Sequence, residues 1–276
     1  MLKLLVFEGN TLSGRRRIVE MAGATPAASY AAVLQSIAPD AVVDICTPGD
    51  EGATTPQPLD AYDGVAITGS SLNIYRREIE SLRQIDLTRE IFARGIPMFG
   101  SCWGLQLATV AAGGEVGRNP AGREVAFARK ITLTADGRDH PMHAKRGTVF
   151  DAPAIHSDII TRLPQNSTVT ARNAMSEVQA AEIRFGSGVF WGVQYHPEYS
   201  LHDVAAVLRR YGQILVDEGF FADLTELERY ASDLSTLDAR GERRDIAWRL
   251  GLDDDVVKAA LRQTELINWV GSLRRA

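Results

Sequence analysis

The first hundred residues alternate short β-rich runs with helical patterns, and this alternation narrows the accessible folds more than any other feature of the chain. The runs are Leu2 to Phe7, Val42 to Ile45, Val65 to Thr68 and Ile96 to Gly100, with helical patterns near Ala27 to Ala38 and from Tyr75 to Arg94. Strand and helix in turn point to crossover units on a parallel sheet, because parallel neighbours need long connections. A further helix is expected to begin near Trp103 and stop at Gly113-Gly114. Beyond it, Ala126 to Leu133, Thr148 to Phe150, Thr168 to Arg172, Val178 to Ile183 and Val189 to Gln194 are short runs separated by turn residues. They predict hairpins or mixed strands, the last returning to the main sheet. From Leu201 the pattern is helical to the end, with Asp253-Asp254-Asp255 leading an apolar-periodic helix through Trp269. The expected architecture is α/β: a mostly parallel open sheet flanked by helices, with a smaller mixed or antiparallel strand region and a C-terminal helical extension. The expected division is a domain over 1–220 and an extension over 221–276.

With 276 residues and 45% hydrophobic content, the chain has enough apolar surface for a sizeable core. A net charge of −5 provides no basic footprint for a nucleic acid and repels anionic lipid, so neither nucleic acid nor membrane is an expected partner. The apolar start, Met1 to Phe7, runs into Glu8 and Gly9, too short for a signal peptide or a bilayer span. Two cysteines make no disulfide scaffold, and a cytoplasmic location is expected. Arg15-Arg16-Arg17 falls in an apparent long loop from Glu8 to Thr25, and reads either as a solvated face or as a contact to an anionic substrate group. In Asp139-His140-Pro141-Met142-His143, Pro141 is expected to prevent the helical turn that would align the imidazoles, and no metal site is expected. The tail from Asp245 to Leu261 has a helix, glycine turn and helix rhythm. Its Asp253-Asp254-Asp255 has the wrong sign for phosphates. Val256, Val257, Ala260, Leu261, Leu266, Ile267 and Trp269 are expected instead to form a docking face, on the chain's own domain or on a twin subunit.

The chemistry concentrates in two segments. Gly100-Ser101-Cys102-Trp103-Gly104 lies where a buried strand ends and a helix starts, the setting of a nucleophile elbow. A residue there also sits at the helix N-terminus, where the macrodipole favours negative charge. Among five histidines, His196 follows the apolar run Val189 to Gln194, so it is expected at a strand's carboxyl end, where ligands of open α/β sheets collect. Pro197 stiffens the chain and Glu198 supplies a carboxylate to hold one ring nitrogen while the other faces the thiol. Cys102, His196 and Glu198 are therefore the candidate nucleophile, base and orienter.

The elbow Gly100-Ser101-Cys102-Trp103-Gly104-Leu105-Gln106, the segment Gly192-Val193-Gln194-Tyr195-His196-Pro197-Glu198, and Thr68-Gly69-Ser70-Ser71 resemble class I glutamine amidotransferase domains. The resemblance covers roughly the first 215 residues, with stand-alone proteins similar to the glutaminase part of GMP synthase as the nearest look. It implies hydrolysis or transfer of a γ-glutamyl amide, with glutamine or another γ-glutamyl small molecule as substrate, through a thioester on Cys102. The N–H of Trp103 is one expected oxyanion donor by elbow geometry, and by resemblance the Gly69-Ser70 loop supplies the other. By resemblance Gln106 holds the glutamyl moiety; the plainer reading is an ordinary polar helix residue. His156-Ser157-Asp158 matches a segment bordering the pocket, as a substrate contact or as a loop brace. No cofactor is implied. The phosphate loop of the synthase's ATP-pyrophosphatase part is not found in this sequence, so GMP formation is not expected. A self-sufficient γ-glutamyl hydrolase or peptidase, a glutaminase subunit feeding a separate synthase, and a non-catalytic binding domain remain as readings, with a homo-oligomer as a further expected association.

Overall fold

The structure is a computed structural model that describes residues 1–274. Its strands are β1 (Lys3–Phe7), β2 (Val42–Cys46), β3 (Gly64–Ile67), β4 (Met98–Ser101), β5 (Glu115–Arg118), β6 (Phe127–Leu133), β7 (Val149–Pro153), β8 (Asp158–Arg162), β9 (Ser167–Arg172), β10 (Ala180–Phe185) and β11 (Gly188–Val193). Its helices are α1 (Leu12–Ala22), α2 (Pro26–Ile37), α3 (Ile79–Ala93), α4 (Trp103–Ala111), α5 (Ala135–Asp139), α6 (Leu201–Asp217), α7 (Leu224–Arg240), α8 (Arg244–Leu250), α9 (Asp254–Val257), α10 (Ala259–Arg262) and α11 (Thr264–Leu273). Nine strands form one sheet in the order β2-β1-β3-β4-β11-β10-β9-β6-β7. The neighbours from β2 to β11 run parallel. Beyond β11 every pairing is antiparallel, since only Gly186 and Ser187 separate β10 from β11 and so short a connection can only reverse the chain. The expected α/β architecture is what the chain adopts, and β5 pairs with β8 in a small separate antiparallel sheet.

The pleat of β1 divides the apolar side chains between two layers. Leu4 and Val6 join Tyr30 and Leu34 of α2, whereas Leu5 and Phe7 join Ile91 and Phe92 of α3 and Trp103 of α4. A third cluster packs Leu201, Leu208 and Leu215 of α6 against Leu227, Leu234 and Leu237 of α7. No helix among the described residues is long and apolar enough to cross a membrane.

Three expectations need correction. The segment from Glu8 to Thr25 is not a loop. It contains α1, which Thr11 caps by accepting the Gly14 N–H at 3.2 Å. Arg15 is only 8% exposed and pairs with Asp50 at 2.5 Å, so just Arg16 and Arg17 face solvent. The helix hides from sequence reading because three consecutive arginines interrupt its apolar pattern and Leu12, Val19 and Met21 are exposed, leaving Ile18 as its main inward apolar side chain. Second, the single helix expected from Asp253 to Trp269 is broken into α9, α10 and α11. Lys258 is extended there (φ −85°, ψ 116°), and buried Arg262 takes the Val256 carbonyl at 2.5 Å. Third, Pro141 does not prevent a turn but opens a 3-10 turn over Pro141–His143, leaving the two rings 6.4 Å apart. Each ring serves its own carboxylate, His140 with Glu182 at 3.0 Å and His143 with Glu265 at 3.3 Å.

The expected docking face is only partly used. Val256, Leu266 and Trp269 are buried, while Ala260, Leu261 and Ile267 are exposed. Trp269 sits 5.9 Å from the Phe99 ring, so α11 packs directly on the main sheet of its own chain. A buried ion pair fastens it there. Arg146 holds Glu265 through bonds of 2.9 and 2.5 Å, with all three side chains of the Arg146, Glu265 and His143 group at most 2% exposed.

Burial acts to raise the Glu265 carboxyl, but the Arg146 charge and the His143 bond outweigh it and hold it at about 2. A carboxylate depressed below its ordinary 4.5 stabilises the fold above that pH, and the contribution is lost as pH falls through about 2. Breaking one partner of a buried pair costs roughly 3–5 kcal/mol. Urea unfolding should therefore show Glu265→Ala destabilised by that order at neutral pH, with the gap to the native chain closing as pH falls from 4.5 toward 2. A gap independent of pH over this window would show that the ion pair is not its source.

Candidate active site

The chain leaves β4 at Ser101 and enters α4 at Trp103, and the turn between them rests on Cys102 with φ 50° and ψ −99°. A non-glycine residue at positive φ stores about 1–3 kcal/mol of strain and persists only when its surroundings hold it. The flanking glycines permit the turn: a Cβ on Gly100 would lie 2.8 Å from the Gly104 Cα, and one on Gly104 would lie 2.8 Å from the Ile67 carbonyl oxygen. The Cys102 N–H donates to the Val193 carbonyl at 2.7 Å, tying the elbow to the end of β11.

His196 follows β11 by three residues, and its backbone N–H donates to the Pro153 carbonyl at 2.7 Å. Its Nδ1 donates to Glu198 Oε1 at 2.7 Å, and Cys102, whose Sγ lies 4.0 Å from the Ile155 carbonyl oxygen, lines the same cleft as the ring. Tyr199 stacks on the ring at 4.0 Å between centroids. On another side lies Gly69, where an added Cβ would come within 2.6 Å of His196 Cε1; no larger residue fits with the ring in place. Glu198 Oε2 accepts from Ser101 Oγ at 2.8 Å, and the Tyr30 hydroxyl lies 3.2 Å from the same Oγ. Burial and the Glu198 charge push the Tyr30 phenol well above its ordinary range, so it stays a donor in this relay. For His196, burial opposes the charged ring, but the Glu198 charge, the neighbouring Cys102 and the bond to Glu198 prevail and raise it to about 10.

The loop after β3 is held from the N-terminal side. The Gly69 carbonyl accepts from Asn10 Nδ2 at 3.1 Å and from Thr68 Oγ1 at 2.9 Å, and Asn10 Oδ1 accepts the Ser71 N–H at 3.1 Å. Glu8 anchors Asn10 in turn, its Oε1 accepting both the Asn10 N–H and Nδ2 at 2.9 Å. Because a trans peptide sets C=O and N–H on opposite sides, pinning the Gly69 carbonyl fixes the direction of the Ser70 N–H. Trp103 lies in the first turn of α4, where backbone donors have no intrahelical partner. One cleft brings Gly69, Ser70, Cys102 and His196 together with Asn10, Ile155, Arg210 and Tyr211.

The remaining sequence-derived residues lie behind this cleft. Gln106 is 3% exposed, with Nε2 at 3.3 Å from both the Asp158 carbonyl and Gln194 Oε1. Both nitrogens of His156 are engaged, Nδ1 with the Asp158 carbonyl at 3.0 Å and Nε2 with Glu124 at 2.8 Å. Ser157 Oγ reaches Asp158 at 3.4 Å. Sequence reasoning missed Glu8, Asn10, Tyr30, Ser101, Tyr199 and Arg210. For Glu8 and Asn10 a signal was present, since both follow directly on the carboxyl end of β1. Among the described residues no group of three or more His, Cys, Asp or Glu side chains is placed to hold a metal ion.

Comparison with known proteins bears on the same residues. The family model "Glutamine amidotransferase class-I" matches residues 38–210. A gamma-glutamyl-L-1-hydroxyisopropylamide hydrolase of Pseudomonas sp is 39% identical over 99% of this chain and 93% of its own length. A GMP synthase of Nitrosomonas eutropha is 26% identical over 72% of this chain, which spans only 38% of that protein. Among solved structures, a glutamine amidotransferase from Thermotoga maritima matches 100% of this chain and 99% of its own with a TM-score of 0.69, at 16% identity, a likeness of fold. With a family model matched across the elbow and the His196 segment alike, and a relative aligned from end to end, the chain belongs to the class I glutamine amidotransferase family.

Proposed function

We propose that this enzyme hydrolyses γ-glutamyl amides through a thioester on Cys102. The observation that carries the reading is the convergence of Cys102, His196 and Glu198 at two adjacent strand ends, with Glu198 2.7 Å from the imidazole. The relative from Pseudomonas, whose name is that of a γ-glutamyl amide hydrolase, supports the substrate class. Cys102 Sγ bonds to the amide carbon and the carbonyl becomes an oxyanion, met by the N–H groups of Trp103 and Ser70. The C–N bond then breaks, and the amine leaves with the proton carried by His196. Water attacks the thioester after giving a proton to His196, and glutamate departs as the thiol is restored. Gln106 holds the glutamyl moiety on the inner side of the cleft. His156, with both nitrogens engaged, braces the wall beside Ser157.

The pinned Gly69 carbonyl favours a self-sufficient hydrolase over a glutaminase subunit. A donor already oriented needs no partner to turn it. Purified protein is expected to turn over γ-glutamyl amides without an added synthase.

Three measurements test this reading. Cys102→Ser should lower turnover by roughly 10⁴-fold or more with the circular dichroism spectrum unchanged, since a nucleophile's loss removes the whole catalytic unit; turnover near that of the native chain rejects the mechanism. Because His196 is held protonated up to about pH 10 and the charged ring supplies the leaving amine's proton, activity should fall as pH rises through about 10. Glu198→Gln removes the charge that raises the ring, so the alkaline fall should move toward the ordinary 6.5; an unmoved limb denies Glu198 this role. Asn10→Asp keeps the acceptor for Ser71 but loses the donor to Gly69. It should lower kcat by about 100-fold with KM little altered, as for loss of one oxyanion donor, and weaken a γ-glutamyl aldehyde inhibitor while iodoacetamide still alkylates Cys102 at the native rate. Equal losses in all three readouts would mean general damage.

A further inference from the structure

The cleft does not end at Cys102 and His196. It shares Ile18, Pro26, Gly69, Tyr199 and Arg210 with a second, adjoining cavity, walled by Met21 and Ala22 of α1, Tyr30 of α2, and Ala206 and Val207 of α6. This cavity is lined mainly by apolar side chains. With the glutamyl side of the substrate assigned toward Gln106, as proposed above, the nitrogen side of the scissile amide is left to face it.

At the junction of the two spaces stands Arg210, half-buried on α6. Among the described residues its guanidinium makes no hydrogen bond and no ion pair; it lies over the Tyr211 ring at 5.0 Å. The other partly or fully buried arginines each have a partner: Arg15 has Asp50, Arg129 has Asp151, Arg146 has Glu265 and Arg262 has the Val256 carbonyl, and Arg83, Arg123, Arg209 and Arg243 are likewise bonded. Asp203 also borders the cavity, but its Oδ2 accepts the Ser200 N–H at 2.8 Å and Oγ at 2.7 Å in a capping box. A planar guanidinium presents a fork that matches a carboxylate, and removing such a cation from water without a partner is costly.

Leaving groups differ in what they need here. Ammonia needs neither cavity nor cation. A simple alkylamine uses the apolar wall alone. An amino acid with an apolar side chain uses both, since its side chain and carboxylate branch from the one carbon attached to the scissile nitrogen. We propose that the cavity takes the side chain of an amino-acid leaving group and Arg210 its α-carboxylate, so that the preferred substrates are γ-glutamyl dipeptides with an apolar second residue. The inference rests on the γ-glutamyl hydrolase reading and adds the substrate class to it.

The test measures kcat/KM of the full-length protein on γ-glutamyl-leucine, γ-glutamyl-glycine, γ-glutamyl-isopentylamide and glutamine. The isopentylamide is the leucine substrate without its carboxylate. γ-Glutamyl-leucine should exceed γ-glutamyl-glycine and glutamine by about 10-fold or more, the usual yield of a filled apolar pocket, and the isopentylamide by about 10-fold or more through the pairing of its carboxylate with Arg210. Arg210→Met should lower kcat/KM for γ-glutamyl-leucine by roughly 10- to 100-fold, mainly through KM, with a loss on the isopentylamide at least about tenfold smaller. Arg210→Lys, which keeps the charge without the fork, should recover part of the difference. Equal losses on the two substrates in Arg210→Met, or a native preference for the isopentylamide or glutamine, overturns the subsite while leaving the hydrolase reading intact. No turnover of any of the four by the native protein rejects the hydrolase reading and this subsite with it.

Discussion

The 2.7 Å bond from the Cys102 N–H to the Val193 carbonyl joins the two strand ends on which the rest of the site depends. It extends the parallel pairing of β4 with β11 by one step, so the elbow begins where the strand that leads to His196 ends. Without that register the thiol and the imidazole would belong to unrelated surfaces. A sulfur on a strained turn and an imidazole three residues past a strand are each ordinary features of α/β proteins. Their adjacency is a property of strand order, β4 beside β11, and that order requires the long excursion through β5 to β10 to return to the middle of the sheet.

Glu198 is the electrostatic hub of this arrangement. One oxygen holds the imidazole and the other accepts from Ser101, which the Tyr30 hydroxyl approaches from the helical layer. The carboxylate is thereby satisfied at both oxygens although it is only 7% exposed, and a buried charge is tolerable only on that condition. The same relay links the end of β4 to α2, so the helix that covers one face of the sheet also steadies Glu198 and the imidazole it holds. On the opposite side the Glu8 and Asn10 pair does comparable work for the loop after β3.

Elements outside residues 38–210, the span matched by the family model, complete the surroundings of the site. α1 places Ile18, Met21 and Ala22 next to the cleft, and Arg15 anchors the helix through Asp50 and the Asn10 carbonyl. At the other end of the sequence, α11 inserts Trp269 into the layer that holds Leu4, Val6 and Phe99. The buried Arg146 and Glu265 pair makes that insertion specific, because each charge is acceptable in the interior only when docked on the other. The exposed Trp248, by contrast, takes no part in this packing.

Much of this was legible in the sequence. Strand and helix alternation, the glycine-flanked elbow and the segment from Gly192 to Glu198 are local patterns, and local patterns survive in a one-dimensional string. They placed the sheet strands to within a few residues and singled out Cys102, His196 and Glu198. They failed at α1, where charge outweighs apolar periodicity, and at the broken tail, where Arg262 caps a helix end from six residues away. The partners of the site were beyond their reach. Ser101 and Glu198 are 97 residues apart, Asn10 and Gly69 are 59 apart, and Arg210 acquires its position only when α6 lies beside α1. Sequence alone determined which side chains are chemically suited to the reaction. Tertiary structure decided which of them meet, because strand order and register, not proximity along the chain, set the distances over which hydrogen bonds and charges act.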